Sequence, residues 1–167
     1  QLVEKDIGDE VGSIGKSHRT LPDGLKGKPR IQRLLGFFPA DPAFFNEPSV
    51  SDQGFERLDG WLKFPSDIST DIEQNNVVSA KITESGTFDQ AMVIFHHWNA
   101  SARKRQIANF FSQRGITVVE IAMPYHFERS RPGSVHADYM LSPNLGRTIQ
   151  SVRQAVLDGR KLIRWLK

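Results

Sequence analysis

The sequence predicts an α/β fold: a mixed sheet of about four strands with flanking helices, preceded by an irregular N-terminal arm. Three observations support this prediction. Two short, largely apolar runs, AMVIF (residues 91–95) and ITVVEI (116–121), are typical of strands inside a sheet. A helical pattern separates them, and a longer one ends the sequence. Residues 1–56 contain many turn-forming residues and little periodicity.

Residues 1–56 are predicted to form a Gly- and Pro-rich arm that packs on a domain formed by residues 57–167. The segments LPDGLKGKPR and FFPADPAFFNEPSVSDQG carry turn signals. Four phenylalanines argue against a disordered tail: Phe37, Phe38, Phe44 and Phe45. We expect these rings to lie on the main domain.

The first two strands are predicted in RLDGWLKFPS (57–66) and NNVVSAKITES (75–85), paired antiparallel at one edge of the sheet. AMVIFHH then reads as a buried strand, and SARKRQIANFFSQRG as a helix that Ser101 caps and Gly115 ends. ITVVEIAMP is the last strand. A strand–helix–strand unit of this kind is expected to form a right-handed parallel crossover.

A long helix is predicted in NLGRTIQSVRQAVLDGRKLIRWLK, with Ser142 or Asn144 as its cap. Its apolar residues fall on one helical stripe, namely Leu145, Ile149, Val152, Val156, Ile163 and Leu166. A helix with such a stripe normally leads to a further strand.

Composition excludes several classes of protein. The net charge of +3 is too small for a nucleic-acid-binding tail, and Arg103-Lys104-Arg105 is interpreted as the solvated face of a helix. The absence of cysteine excludes disulfides and Cys-based zinc sites. No apolar run has the length of a membrane span, and no signal-peptide pattern is seen. We therefore expect no membrane or nucleic-acid partner, and a cytoplasmic location by default.

Several motif-like features are set aside. GSIGKS (12–17) has Glu10 where a phosphate-binding P-loop needs Gly, so a phosphate-dependent activity is the least favoured alternative. His96 and His97 point to opposite faces of a strand and cannot easily share a metal ion. No GxSxG is present, and Ser134, His136 and Asp138 lie too close in one loop to form a triad. We expect neither a metal nor a cofactor.

Residues from about Phe55 to Lys167 resemble the first half of an α/β-hydrolase domain, near the dienelactone hydrolases and acetyl xylan esterases. FPSDISTDIEQNNVVSAKI looks like the paired first strands. AMVIFHHWNASARKRQIANFFSQRGITVVEIAMPYH looks like the third strand, oxyanion loop, first helix and fourth strand, and MPYHFERSRPG is similar to the next loop. The final helix resembles the one before the nucleophile strand.

The resemblance implies roles for the residues that follow the third strand. His96 matches the family's His, His97 stands where the family has Gly, and the backbone N–H of Trp98 becomes the oxyanion donor. The nucleophilic serine, the acid and the catalytic histidine would all lie beyond Lys167, so none of the five histidines here is expected to be catalytic. The residues expected to line or rim the substrate cleft are His96, Asn99, Tyr125, His126, Arg129 and Arg131.

The favoured hypothesis is therefore the N-terminal portion of a serine-type hydrolase that acts on small carboxylic esters. The alternative is a complete, non-catalytic module of the same fold that binds or scaffolds a partner. In either case the unpaired edge of the sheet or the C-terminal helix offers a surface for association.

Overall fold

The computed structural model of the chain describes residues 43–46, 53–87, 89–134 and 136–167. These form a mixed five-stranded sheet with two α-helices, which confirms the α/β class. The strands are β1 (Glu56–Leu58), β2 (Trp61–Pro65), β3 (Val77–Thr83), β4 (Ala91–Phe95) and β5 (Thr117–Ile121), and the helices are α1 (Arg105–Ser112) and α2 (Leu145–Trp165). Two 3₁₀ turns, Glu73–Asn76 and Phe127–Arg129, complete the regular structure of this part of the chain.

The strands lie in the order β1-β2-β3-β5-β4. Neighbouring strands are antiparallel except β4 and β5, which are parallel. The predicted parallel pairing across α1 and the antiparallel pairing of the first strands are thus confirmed. Neither helix in the described residues is long and apolar enough to cross a bilayer.

The fifth strand arises because RLDGWLKFPS is a hairpin rather than one strand. Asp59 and Gly60 connect β1 to β2 with φ angles of 51° and 72°. Two successive positive φ angles suit the right-handed twist of a tight hairpin, and Asp-Gly is a preferred pair for such a turn. The sequence contained this signal, and the single-strand interpretation missed it.

The hydrophobic core lies between one face of the sheet and α2. Alternate residues of β2, β3 and β5 fill it together with Leu162 of α2, as the period of two in a strand requires. The buried cluster consists of Leu62, Phe64, Val78, Ala80, Ile82, Val119, Ile121 and Leu162. Glu120 alternates with its neighbours in β5 and faces the opposite side, where α1 lies.

The expectation that AMVIF is a buried strand is wrong. β4 is the last strand in the order, and no residue of it falls in the buried class. Phe95 is 47% exposed. The physical reason is that β4 has no strand on its outer side within the described residues, so one edge of an apolar strand remains open.

The predicted start of α1 is also wrong. The helix begins at Arg105 rather than after Ser101, and the Lys104 N–H donates to Glu120 Oε1 at 3.0 Å. A carboxylate from the neighbouring strand thus replaces the expected hydroxyl cap. At the other end, Gly115 has a φ of 83° just after the helix, and this agrees with its predicted role as the terminator.

The apolar stripe predicted for α2 does not describe its buried face. Asn144 does cap the helix, because its side chain accepts from the Arg147 N–H at 3.0 Å. Val152 and Ile163, however, are 41% and 43% exposed. The residues of α2 that are buried are largely polar or small: Gly146, Ser151, Gln154, Leu157, Asp158, Gly159, Lys161 and Leu162.

The described part of the arm lies beside α2. Arg153 Nε donates to the Phe44 carbonyl, and Arg160 Nη1 donates to the Phe45 carbonyl, each at 2.6 Å. Phe37, Phe38 and the segment GSIGKS lie outside the described residues.

Candidate functional site

The loops that follow β4 and β5 meet at one corner of the sheet, at the carboxyl ends of its two parallel strands. Residues 96–99 come from the first loop and residues 123–127 from the second, and we call them together the corner. The rings of His96 and His126 lie 4.6 Å apart between centroids, and Phe127 packs on His96 at 4.5 Å. The sequence-predicted residues His96, Trp98, Asn99, Tyr125 and His126 are therefore brought together.

His96 and His126 join the two loops through both of their ring nitrogens. His96 Nε2 accepts from the Met123 N–H at 3.1 Å, and His96 Nδ1 donates to the His97 carbonyl at 2.9 Å. His126 Nε2 accepts from the Asn99 N–H at 2.9 Å, and His126 Nδ1 donates to the Pro124 carbonyl at 2.9 Å. These partners require the neutral Nδ1–H form of both rings.

Burial favours the neutral form of these two histidines. Burial lowers the pKa of His96 to about 4, although its bond to His97 opposes the shift. Burial also lowers the pKa of His126, which is 2% exposed. With both nitrogens bonded to the backbone, neither ring has a free lone pair for a metal or a substrate proton. Within the described residues, no three His, Cys, Asp or Glu side chains are grouped as metal ligands.

Trp98 and Asn99 are held to the loop after β5 by their side chains. Trp98 Nε1 donates to the Ala137 carbonyl at 3.2 Å, and Asn99 Oδ1 accepts from the Ala137 N–H at 3.2 Å. The backbone N–H of Trp98 has no hydrogen-bond acceptor among the described residues. Trp98 as a residue is 48% exposed, so the corner is open to solvent at this position.

Backbone strain is concentrated at the corner. Four non-glycine residues of the described chain have positive φ, and three of them are here: Asn99 (58°), Tyr125 (61°) and Phe127 (51°). Each such residue costs on the order of 1–3 kcal/mol, and aromatic side chains are uncommon in this region. Strain of this kind persists where the surrounding bonds fix the backbone, and it is often found at functional sites.

Arg129 does not rim the cleft as predicted. It is 0% exposed, and its Nη2 lies 2.9 Å from Asp158 Oδ2 of α2 in a buried ion pair. Its guanidinium also donates to the Asn75 carbonyl through Nε and Nη2 at 3.1 and 2.7 Å, and to the Ala122 carbonyl at 3.0 Å. Burial raises the pKa of Asp158, and the Arg129 charge opposes that rise. Arg129 is therefore a structural residue beneath the corner.

A buried polar network extends this ion pair and explains the polar face of α2. Ser66 donates to Asp158 Oδ1 at 2.7 Å, and Gln154 Nε2 donates to Ser66 Oγ at 3.0 Å. Asn75 Nδ2 donates to Gln154 Oε1 at 2.9 Å, while Asn75 Oδ1 accepts from the Tyr125 N–H at 3.0 Å. The network thus runs from α2 to the backbone of a strained corner residue.

Arg103 also supports the corner, although the sequence suggested a solvated position on a helix. It precedes α1, its side chain is only 16% exposed, and it donates to Glu128 through both terminal nitrogens at 2.8 and 2.7 Å. Its guanidinium lies 4.8 Å from the Trp61 ring and 4.6 Å from the Phe127 ring. These contacts form one wall of a cleft of about 640 Å³ on the α1 side of the sheet.

Arg131 remains exposed and is bonded to Tyr139. Its Nη1 donates to the Tyr139 hydroxyl at 2.8 Å. In the same loop, Ser134 Oγ donates to the His136 carbonyl at 2.6 Å and contacts Asp138 Oδ1 at 3.0 Å. This is a turn held by a hydroxyl, and the contact of Ser134 is with the His136 backbone rather than its ring.

Sequence reasoning missed Asn75, Arg103 and Asp158. Nothing in their local patterns identifies them, because each acts on residues at least 25 positions away. Comparison with known proteins gave no family: no family model matches the chain, and no curated protein matches it.

Proposed function

We propose that the chain is the N-terminal portion of a serine-type α/β hydrolase that acts on carboxylic esters. In this role it supplies half of the oxyanion hole and one wall of the substrate pocket. The backbone N–H of Trp98 donates to the oxyanion that forms when a serine attacks the ester carbonyl. The nucleophile, its acid partner and the catalytic histidine belong to a part of the domain that follows α2.

The observation that carries the proposal is the backbone donor without an acceptor at the end of β4. The two N–H groups that follow it, those of Asn99 and Ala100, are bonded within the protein, whereas the Trp98 N–H of this half-exposed turn remains available to a ligand oxygen. The strand order offers further support, because antiparallel strands precede a parallel crossover as the sequence resemblance implies. The bonded rings of His96 and His126 agree with a catalytic histidine elsewhere.

The direct test replaces one backbone N–H with an oxygen atom. In the protein encoded by the complete reading frame, Trp98 is replaced with its α-hydroxy acid, so that an ester oxygen takes the place of the N–H and the indole remains. We expect kcat on an activated ester to fall about 100- to 1000-fold, the usual loss for one oxyanion donor. Trp98→Ala is the matched control, since it keeps the N–H, and we expect a much smaller loss of kcat.

Two results would count against the proposal. Unchanged kcat in the hydroxy-acid variant would show that the Trp98 N–H does not meet the oxyanion. Absence of esterase activity and of labelling by a serine-directed phosphonate in the complete protein would instead favour the non-catalytic module. The thermal melt of each variant separates a chemical effect from unfolding.

A further inference from the structure

Two consecutive peptide groups after β4 are held by imidazole rings. The first joins His97 to Trp98, and its carbonyl accepts from His96 Nδ1 at 2.9 Å. The second joins Trp98 to Asn99, and its carbonyl accepts from His97 Nδ1 at 2.7 Å while its N–H donates to His126 Nε2 at 2.9 Å. Three of the four polar groups of these peptides are therefore bonded to histidine.

The fourth group is the Trp98 N–H, which has no acceptor in the described residues. In a planar trans peptide the N–H and the C=O point in opposite directions. The His96 ring and the Ala100 N–H, at 3.3 Å, both bond the His97 carbonyl and thus also fix the direction of the Trp98 N–H. The peptide between Trp98 and Asn99 is bonded through both its carbonyl and its N–H. Its plane cannot rotate unless the bond to His97 or the bond to His126 breaks.

We propose that His96 and His126 are positioning residues that, in their neutral Nδ1–H form, hold the Trp98 N–H in the direction an oxyanion needs. This inference rests on the proposed function, since it assigns the supporting residues of the same site. It also accounts for the double histidine: His96 and His97 each bond a carbonyl of the turn that follows them in the sequence.

The positioning depends on protonation. Both Nε2 atoms act as acceptors, for the Met123 N–H and the Asn99 N–H, and a protonated imidazole has no acceptor. The bonds from the Nδ1–H groups of His96 and His97 to the turn carbonyls differ, because there the imidazole is the donor. Acid should therefore release the Met123 and Asn99 N–H groups, and the loss of the Asn99 bond frees one end of the Trp98–Asn99 peptide.

Burial and the neighbouring groups oppose protonation of the two rings at neutral pH. Arg103, His97 and His126 face His96, and Arg129 and His97 face His126. Together with burial they keep the pKa of both rings low, that of His96 at about 4. The arrangement is thus intact above pH 6.5 and is lost as the pH falls toward the pKa of the folded rings.

The test compares two substitutions of His126, one that keeps its hydrogen-bond acceptor and one that keeps its donor. His126→Gln places an oxygen acceptor near the Nε2 position, whereas His126→Asn keeps a donor near Nδ1 and loses the acceptor. In the 167-residue chain we expect amide hydrogen exchange at Asn99 to be at least tenfold faster in His126→Asn and close to wild type in His126→Gln. The Asn99 amide resonance should shift with acid in the wild type and not in His126→Gln.

Kinetics of the complete protein provide the second readout. We expect kcat to fall about 100-fold in His126→Asn with KM nearly unchanged, as for a misplaced catalytic donor, and to recover to within tenfold in His126→Gln. His136→Asn, on an exposed loop histidine, is the control that should change neither readout.

The readouts separate the two claims. Unaltered Asn99 exchange in His126→Asn would overturn the positioning of this peptide, whatever the activity. Faster exchange with unchanged kcat would overturn the positioning role in catalysis. An unaffected hydroxy-acid variant at Trp98 would in addition remove the proposed function.

Discussion

Replacing Arg129 with Met tests whether the buried ion pair holds the corner and α2 together. Arg129 and Asp158 have side chains that are 0% and 1% exposed, and their charged atoms lie 2.9 Å apart. Without the guanidinium, Asp158 would keep only the Ser66 hydroxyl bond as compensation for its buried charge. Breaking a buried pair in this way costs about 3–5 kcal/mol. That is a large share of the roughly 5–15 kcal/mol by which a domain is stable.

The measurement is urea unfolding of the 167-residue chain at pH 7, followed by circular dichroism. In a thermal melt of the same chain, roughly 2–4 °C per kcal/mol for this size predicts that the melting temperature falls by about 6–20 °C. Asp158→Asn should also lower the free energy of unfolding. The variant with both Arg129→Met and Asp158→Asn should be destabilised by at least about 2 kcal/mol less than the sum of the two single effects.

Arg57→Met provides the matched control. The Arg57–Glu84 pair is 42% and 47% exposed, and exposed pairs contribute about 1 kcal/mol or less. Equal losses for Arg129→Met and Arg57→Met, or a coupling energy near zero between Arg129 and Asp158, would refute the reasoning.

Three further predictions follow from other contacts. Burial lowers the pKa of His96 to about 4, so the stability that its neutral form contributes is fully present above pH 6.5 and is lost as the pH falls through 4. Between pH 7 and 4.5, urea titrations should show the free energy of unfolding fall by up to about 2 kcal/mol, and by less in His96→Gln. A Cβ at Gly159 would stand 2.7 Å from Phe95 Cζ, so Gly159→Ala must displace this half-exposed ring, and we expect a net loss of stability of up to about 1 kcal/mol. In a Phe95→Ala background the same substitution should stabilise by up to about 1 kcal/mol, and thermal melts that show the same change in both backgrounds would contradict this. The open edge of β4 and the exposed side chains of Phe95 in β4 and of Ile107 and Phe110 in α1 should make the 167-residue chain associate. Light scattering that shows a stable monomer would argue against this.

The sequence was sufficient for the α/β class and for the parallel pairing of β4 and β5. Those features depend on local signals: apolar runs of strand length, a helical spacing between them, and a glycine where a positive φ was needed. The hairpin at Asp59-Gly60 was also encoded locally, and the error there was one of interpretation.

The buried face of α2 could not be found in this way. Periodicity assigns apolar residues to the inside, but Gln154, Asp158 and Lys161 are buried because each meets a polar partner from a distant part of the chain. Lys161, for example, lies 2.8 Å from Asp67 Oδ1. Such pairings depend on three-dimensional proximity, and a single sequence does not reveal it. Arg129 was placed in the cleft for the same reason.

The carboxylate of Glu120 at the start of α1 has a consequence for the order of folding. A helix of eight residues is marginal by itself, and this one receives its N-terminal acceptor from a strand that follows it in the chain. The Lys104 N–H therefore gains that bond only when β5 lies beside the start of α1. We expect α1 and β5 to form in the same kinetic step, with Glu120→Ala, which removes the acceptor, slowing refolding and changing the unfolding rate little.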